Sequence, residues 1–171
     1  MKKYTLEMKL EGTDLKRMVS MCGGMNFEEL HQVIQVVFGW EDYHMHSFTA
    51  GKITIGNYED YEDEDELPVN FRWEGELGID LILLNTPKVI YEYDFGDGWR
   101  VEIKVKKVED SDTFDAPKLI LANGGMAQED CGGPCALMEM EREEVDIDGL
   151  NLILEQLSYL WMVTLIPKNI N

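Results

Sequence analysis

Residues 91–105 constrain the fold more than any other stretch of the sequence. They read YEYDFGDGWRVEIKV, in which aromatic or β-branched residues alternate with charged ones on both sides of a Gly-Asp-Gly segment at 96–98. Alternation with a period of two indicates half-buried strands, and glycine and aspartate tolerate the positive φ angles of a tight reversal. The sequence therefore predicts a β-hairpin, which we place at the centre of a sheet.

The patterns around the hairpin predict a single α+β domain over residues 1–171. Alternating apolar residues predict a strand over 2–10, and shorter apolar runs predict several more. Residues 77–84 fit either a strand or a short buried helix, because periodicity does not separate the two over that length. We expect a mixed, mainly antiparallel sheet of five or more strands, with two main helices packed on it.

The two main helices have clear boundaries in the sequence. The first is predicted over 27–38, because Asn26 and Glu29 have the spacing of a capping box and Gly39 marks the end. The second is predicted over 148–161. Its apolar residues recur at helical spacing and predict a buried stripe of Leu150, Ile153, Leu154, Leu157 and Leu160.

The chain is strongly acidic, with 15 Lys and Arg against 34 Asp and Glu and a formal net charge of −19. Binding to nucleic acid requires clustered Lys and Arg, whereas the one basic run, at 104–107, fits the solvent face of a strand. An acidic surface also keeps a protein off anionic membranes. We therefore expect neither nucleic acid nor a membrane as a partner.

The most acidic stretch is residues 59–66, in which only Tyr61 is uncharged. Such a run repels itself and predicts a solvated loop. A calcium-binding loop of the EF-hand type would need a spaced pattern of ligands and a central glycine, and this run lacks both.

The N-terminus and the cysteines predict a cytoplasmic protein. Lys2, Lys3, Glu7 and Lys9 interrupt the first residues, so neither a signal peptide nor a membrane-spanning segment is predicted. The three cysteines are odd in number and sparse, which indicates reduced thiols rather than a disulfide framework. They are Cys22, Cys131 and Cys135.

The segment HMHSF at 44–48 offers metal-ligand chemistry. On a strand, His44, His46 and Phe48 share one face, and neutral imidazole is the commonest protein ligand for zinc. Two histidines do not make a site, because a metal ion needs a third or fourth ligand from elsewhere. Histidines also serve simply as hydrogen-bonding core residues, and the sequence leaves both possibilities open.

The sequence also resembles a known family. The segments LHQVIQVVFGW (30–40), HMHSF (44–48), YEYDFGDGW (91–99) and EDCGGP (129–134) follow one another in the order and at the separations typical of the plasmid pRiA ORF-three-like proteins. The resemblance covers residues 1–157. It implies a shared fold, an association with plasmids and insertion elements, and no established biochemical activity.

The resemblance implies a cluster of functional polar residues: His44, His46, Asp94, Asp97, Glu129, Asp130 and Cys131. Members of the family often carry a histidine where this chain has Val101, and a cysteine near the position of Met126. Both departures remove a candidate base or ligand. They favour a binding or structural role over catalysis in this chain.

These observations lead to two hypotheses of different classes. The first is a non-catalytic, cytoplasmic binding module whose partner is an unknown protein or small molecule, with no cofactor. The second is a metal-dependent hydrolase in which zinc or iron bound by His44 and His46 activates water, with Asp97 or Glu129 as general base. The histidine pair is too poor in ligands to hold a metal unless Asp94, Asp97, Glu129 or Cys131 reaches the same space. We therefore expect both histidines to be hydrogen-bonded to carboxylates or backbone, with no tightly bound metal.

Overall fold

The computed structural model describes residues 1–61, 63 and 67–164. The strands in chain order are β1 (Lys2–Leu10), β2 (Lys16–Cys22), β3 (His46–Ala50), β4 (Ile53–Gly56), β5 (Phe71–Trp73), β6 (Lys88–Tyr93), β7 (Trp99–Asp110) and β8 (Lys118–Asn123). The helices are α1 (Phe27–Phe38), α2 (Ile79–Leu83), α3 (Gly133–Glu139) and α4 (Ile147–Thr164), with a 3-10 turn at Tyr58–Asp60.

The strands of the described part of the chain form one sheet in the order β5-β4-β3-β6-β7-β1-β2-β8. The predicted hairpin is β6 and β7, with Tyr93 opposite Trp99 beside the turn. Neighbouring strands are antiparallel except β4 and β5, which are parallel. The α+β class, the mainly antiparallel sheet and the central position of the hairpin are thus confirmed.

Helix α1 begins and ends where the sequence predicts. The Asn26 side chain accepts the Glu29 amide at 2.8 Å, and the Glu29 carboxylate accepts the Asn26 amide at 2.8 Å, which completes the capping box. Gly39 ends the helix with a φ of 89°, a conformation that glycine adopts without strain. The apolar face of α1 is fully buried, and Phe27 contacts the Phe48 ring of β3 at 5.0 Å.

A buried arginine connects the C-terminal end of α1 to the backbone at the end of β8. Arg17 in β2 is fully buried, and its guanidinium donates to the backbone carbonyls of Val37 (2.7 Å), Asn123 (2.8 Å) and Gly125 (2.7 Å). Burial lowers the pKa of Arg17 to about 10, so the side chain remains charged at neutral pH. A cation at a helix C-terminus also interacts favourably with the helix dipole.

Helix α4 is present, but the predicted apolar stripe is wrong in part. Ile153 and Leu160 are 46% and 58% exposed, whereas Leu154, Ser158 and Trp161 are buried. Among the described residues, the main contacts of the helix are with β8 and α1, and the face that it buries is narrower than the run of leucines suggests. Hydrogen bonding adds to this contact, since the Trp161 indole donates to Gln32 of α1 at 2.8 Å.

The structure also bears on two further regions and on the prediction that no segment spans a membrane. Residues 77–84, which fit either element type, contain the short helix α2. Within the predicted acidic loop at 59–66, Glu62 and residues 64–66 lie outside the described residues, while Glu59 and Asp60 belong to the 3-10 turn. No helix in the described ranges is both long and apolar enough to cross a membrane.

Candidate metal centre at the hairpin tip

The turn of the hairpin is organised by Asp94. Its Oδ1 accepts the amides of Gly96 (3.1 Å) and Asp97 (3.3 Å), and its carbonyl accepts the amide of Gly98 at 2.7 Å. Asp94 itself has a φ of 49°, a left-handed conformation that aspartate tolerates better than most residues. Its second carboxylate oxygen, Oδ2, faces His44.

The Asp97 side chain joins the hairpin to a second loop. Its Oδ2 accepts the amide of Gly132 at 3.0 Å. Gly133 packs so closely that a Cβ there would lie 2.5 Å from the Asp97 carbonyl oxygen. The loop that precedes α3 is therefore docked on the hairpin, and this docking carries Glu129 and Asp130 to the turn.

Four side chains meet at this junction, and we call His44, Asp94, Glu129 and Asp130 the tip cluster. The Nε2 atom of His44 lies 2.9 Å from Asp130 Oδ1, 3.6 Å from Asp94 Oδ2 and 3.9 Å from Glu129 Oε1. The His44 side chain is 30% exposed, so solvent reaches the cluster. One ring nitrogen thus stands among oxygens of three carboxylates.

Glu129 is held by hydrogen bonds on both of its oxygens. The hydroxyl of Tyr93 donates to Oε1, and the amide of Glu41 donates to Oε2 at 2.8 Å. Burial and the bond to this carboxylate raise the pKa of Tyr93 well above its usual value, which keeps the hydroxyl a donor. The Tyr93 oxygen in turn accepts the amide of Tyr43 at 3.0 Å.

The charge at the tip cluster is unbalanced. Among the described residues, the ion pairs of Asp94, Glu129 and Asp130 are all with His44, and none of them is with Lys or Arg. Single ligand atoms from His44, Asp94 and Asp130 lie within 4.8 Å of one another. Carboxylates suit hard divalent cations and imidazole suits zinc and iron, so the cluster has the donors for one divalent ion.

His46 does not join His44, because β3 begins only at His46 and the strand that the sequence predicts through His44 is not formed. His46 instead belongs to a second group, His31, Asp42, His46 and Glu74, which we call the inner cluster. His46 Nε2 lies 2.7 Å from Glu74 Oε2, with both side chains buried. His31 Nε2 lies 2.9 Å from Asp42 Oδ1. His44 therefore lies before the strand, while both histidines still line one cavity of about 290 Å³.

The inner cluster is a poor metal site, although ligand atoms of His31, Asp42 and His46 also lie within 4.8 Å of one another. The rings of His31 and His46 are stacked, with centroids 3.6 Å apart and planes 7° from parallel. The lone pairs of each ring lie in the plane of that ring, so one ion at the usual distance of about 2.0–2.1 Å cannot lie in both of these stacked planes. Both Nε2 atoms already face carboxylates.

The remaining predicted residues lie outside both clusters. Cys131 is a free thiol in the docked loop, near the Gly133 carbonyl, and burial raises its pKa. Val101 is fully buried in β7 opposite Tyr91, and Met126 lies against Gly39 at the end of α1. Neither position is adjacent to His44 in the hydrogen-bond network of the tip cluster.

Asp42, Glu74 and His31 are not among the candidate residues that the sequence indicates. In the structure Asp42 has a φ of 58°, a left-handed conformation that the sequence does not predict. Asp42, Asp94 and Asp130 are the three non-glycine residues with positive φ in the described chain, and all lie in the two clusters. Such conformations persist where the surrounding structure enforces them, often at functional sites.

Two cavities border these clusters. A cleft of about 490 Å³ is lined by Glu129 and Asp130 together with Glu41, Tyr43 and Arg142. A cavity of about 290 Å³ lies between the clusters and is lined by His44 on one side and by His31, His46 and Glu74 on the other. The tip cluster is therefore accessible from two directions.

Comparison with known proteins gives relatives without a stated activity. A family model described as plasmid pRiA4b ORF-3-like protein matches residues 2–145. An uncharacterised protein, y4hQ of Sinorhizobium fredii (strain NBRC 101917 / NGR234), is 29% identical over 115 residues, which are 67% of this chain and 58% of that protein. A crystal structure of a protein of unknown function, MM3350 from Methanosarcina mazei Go1, has a TM-score of 0.69 at 25% identity and covers 89% of each chain.

Proposed function

The chain belongs to the plasmid pRiA4b ORF-3-like protein family, and we propose that it is a binding module whose ligand is a divalent metal ion held by the tip cluster. One observation carries the proposal: oxygens of three carboxylates lie within 3.9 Å of a single imidazole nitrogen. The condition set by the sequence, that carboxylates reach a histidine, is met by Asp94, Glu129 and Asp130 at His44.

The choice of metal follows from the donors. One imidazole with three carboxylates offers one nitrogen and several hard oxygens, a set that suits zinc, ferrous iron and manganese better than soft metals. Cysteine is absent from the contacts of the cluster, so the thiolate ligands typical of structural zinc sites are not supplied. Repulsion among three neighbouring carboxylates is relieved when a cation binds between them.

Direct binding measurements test the proposal. Protein stripped with a chelator is titrated with Zn²⁺, Mn²⁺ and Fe²⁺ by calorimetry, and we expect one equivalent of at least one ion to bind. The His44→Ala and Asp130→Asn variants should lose that binding. Asp112→Asn removes an exposed carboxylate from the loop between β7 and β8 and serves as the matched control, which should bind as the parent does.

The proposal fails if the stripped protein binds none of the three ions, or if His44→Ala binds them as the parent does. Because the Asp130 side chain is 68% exposed, the Asp130→Asn variant is expected to fold. A loss of binding in that variant therefore reports on the site rather than on the fold.

A hydrolase is the second candidate, favoured by the cleft of about 490 Å³ that opens onto Glu129 and Asp130. There a bound ion would be reached by a substrate and would lower the pKa of a coordinated water. The test is hydrolysis of activated ester and phosphate substrates by the metal-loaded protein. Turnover that disappears both on chelation and in His44→Ala supports the hydrolase. Metal binding without turnover supports the binding module instead.

A further inference from the structure

A closed ring of hydrogen bonds lies beside the tip cluster. The Asp42 amide donates to Gln35 Oε1 at 2.9 Å, and Gln35 Nε2 donates to the Tyr91 hydroxyl oxygen at 2.8 Å. The Tyr91 hydroxyl is 2.9 Å from His31 Nδ1, and His31 Nε2 is 2.9 Å from Asp42 Oδ1. The ring thus starts and ends on Asp42.

The backbone amide of Asp42 sets the direction of every bond in the ring. That amide can only donate, so the oxygen of the Gln35 side chain faces it and the nitrogen faces Tyr91. The Tyr91 oxygen then accepts, and its own proton goes to His31 Nδ1. His31 therefore carries its proton on Nε2 and donates it to Asp42. Burial raises the pKa of Tyr91, which keeps the phenol a donor.

The segment that connects α1 to β3 is shared between this ring and the tip cluster. The amides of Glu41 and Tyr43 donate to Glu129 and to the Tyr93 hydroxyl of the tip side, whereas Asp42 between them bonds to the ring. The carbonyl of Met45 accepts the amide of Asp94 at 3.0 Å. The segment 41–45, which contains His44, is thus bonded to the tip side through Glu41, Tyr43 and Met45 and to the ring through Asp42.

We infer that the Asp42–Gln35–Tyr91–His31 ring is a positioning device that sets the place of His44, and with it the metal affinity of the tip cluster. The inference rests on the proposed function. None of the four ring residues contacts the ion; they act by fixing Asp42 two residues before His44, in a left-handed conformation that the chain does not favour on its own. Partners that orient a metal ligand typically change metal affinity by about 10–100-fold when removed.

The test uses Tyr91→Phe, which opens the ring without changing the volume of the core by more than one oxygen atom. Tyr4→Phe is the matched control, because Tyr4 is also fully buried in the sheet and donates its hydroxyl to a carboxylate, that of Asp80. We expect Tyr91→Phe to weaken metal binding about tenfold. Tyr4→Phe should retain the affinity of the parent at a comparable loss of thermal stability.

Variants at Asp42 separate the hydrogen bond from the backbone conformation. Asp42→Asn retains an oxygen acceptor and the tolerance for positive φ. Its metal affinity should therefore stay within about threefold of the parent, a smaller change than the loss of about tenfold expected for Tyr91→Phe. Asp42→Gly retains only the conformation, and its affinity should fall to the level of Tyr91→Phe. All affinities are measured by calorimetry at a temperature where every variant is folded by circular dichroism.

The outcomes distinguish the two proposals. If the parent protein binds no metal, the proposed function fails and the positioning role fails with it. If the parent binds metal and Tyr91→Phe binds it as tightly as Tyr4→Phe does, only the positioning role is overturned. Equal affinity of Asp42→Gly and Asp42→Asn would likewise overturn it, because the hydrogen bond to His31 would then contribute nothing.

Discussion

His44 and His46 stand two residues apart, yet the structure places them in two different chemical environments. His46 is buried, with Glu74 as its one acceptor and the His31 ring stacked against it. His44 is partly exposed and has three carboxylates around one nitrogen. The inner cluster balances donors against acceptors, whereas the tip cluster has more acceptors than donors. If the proposed function holds, the excess of acceptors, rather than the presence of histidine, is the feature that attracts a cation.

The largest effect that separates the two regions is expected on stability. Glu74→Ala leaves the buried His46 without its acceptor, and removing one partner of a buried pair costs about 3 kcal/mol of unfolding free energy. Asp130→Asn in metal-free protein keeps a residue that tolerates the positive φ of this position, removes one charge from a crowded group, and should change stability by less than about 0.5 kcal/mol. Urea denaturation measures the unfolding free energy of both variants. Equal losses would contradict the predicted difference between the inner cluster and the tip cluster.

The next effect concerns metal. At a free ion concentration of about 100 Kd, the parent protein should gain about 2.7 kcal/mol of unfolding free energy, because only the folded state presents the assembled site. His44→Ala should gain nothing. Glu74→Gln, in the inner cluster, should keep the gain. Chemical denaturation with and without Mn²⁺ or Zn²⁺ makes the comparison, and a gain that survives in His44→Ala would move the site elsewhere.

A smaller effect is expected where the two loops join. Asp97→Ala removes the acceptor of the Gly132 amide, a loss comparable to that of a helix cap, about 0.5–2 kcal/mol. Because this bond docks the loop that carries Glu129 and Asp130, metal affinity should fall as well. Thermal denaturation and calorimetry of Asp97→Ala beside Asp97→Asn, which retains an acceptor oxygen, test the two consequences together.

The smallest expected effect is on nucleic acid, where we predict no retention of duplex DNA at about 0.15 M salt. With a formal charge of −19, repulsion of the phosphate backbone should outweigh counterion release by the scattered lysines, and the acidic tip cluster adds repulsion. A gel shift with increasing protein concentration is sufficient. Binding in the micromolar range would show that a cationic surface exists that the charge balance hides.

Local patterns predicted the parts of the fold that depend on neighbours in sequence. The capping box at Asn26, the end of α1 at Gly39 and the hairpin all follow from residues within a few positions of one another. The stripe of α4 was wrong in part, because how much of a helix is buried depends on how many elements it meets. Sequence spacing indicates which residues can share a face, but the width of the contact is a property of the packed molecule.

The candidate site was predictable only in outline. His44, Asp94, Glu129 and Asp130 were all singled out through the family resemblance, and the structure brings these four together. His44 and His46 do not share a strand face, because β3 begins at His46 and His44 precedes it. Glu74 was hidden, since one more carboxylate in a chain with 34 acidic residues gives no signal of its own.

The guanidinium of Arg17 has a consequence for how the site loop can vary. Arg17 fastens the backbone at Gly125, and Asp97 fastens it at Gly132, so the residues between them form a span that is fixed at both ends. Within that span the amides of Met126 and Ala127 donate to the carbonyls of Glu143 and Phe38, both at 2.9 Å. We therefore expect a change of loop length to be accommodated between Ala127 and Gly132. The side chains at Glu129 and Asp130 can therefore differ between relatives while the bonds at the two ends of the loop hold its backbone in place.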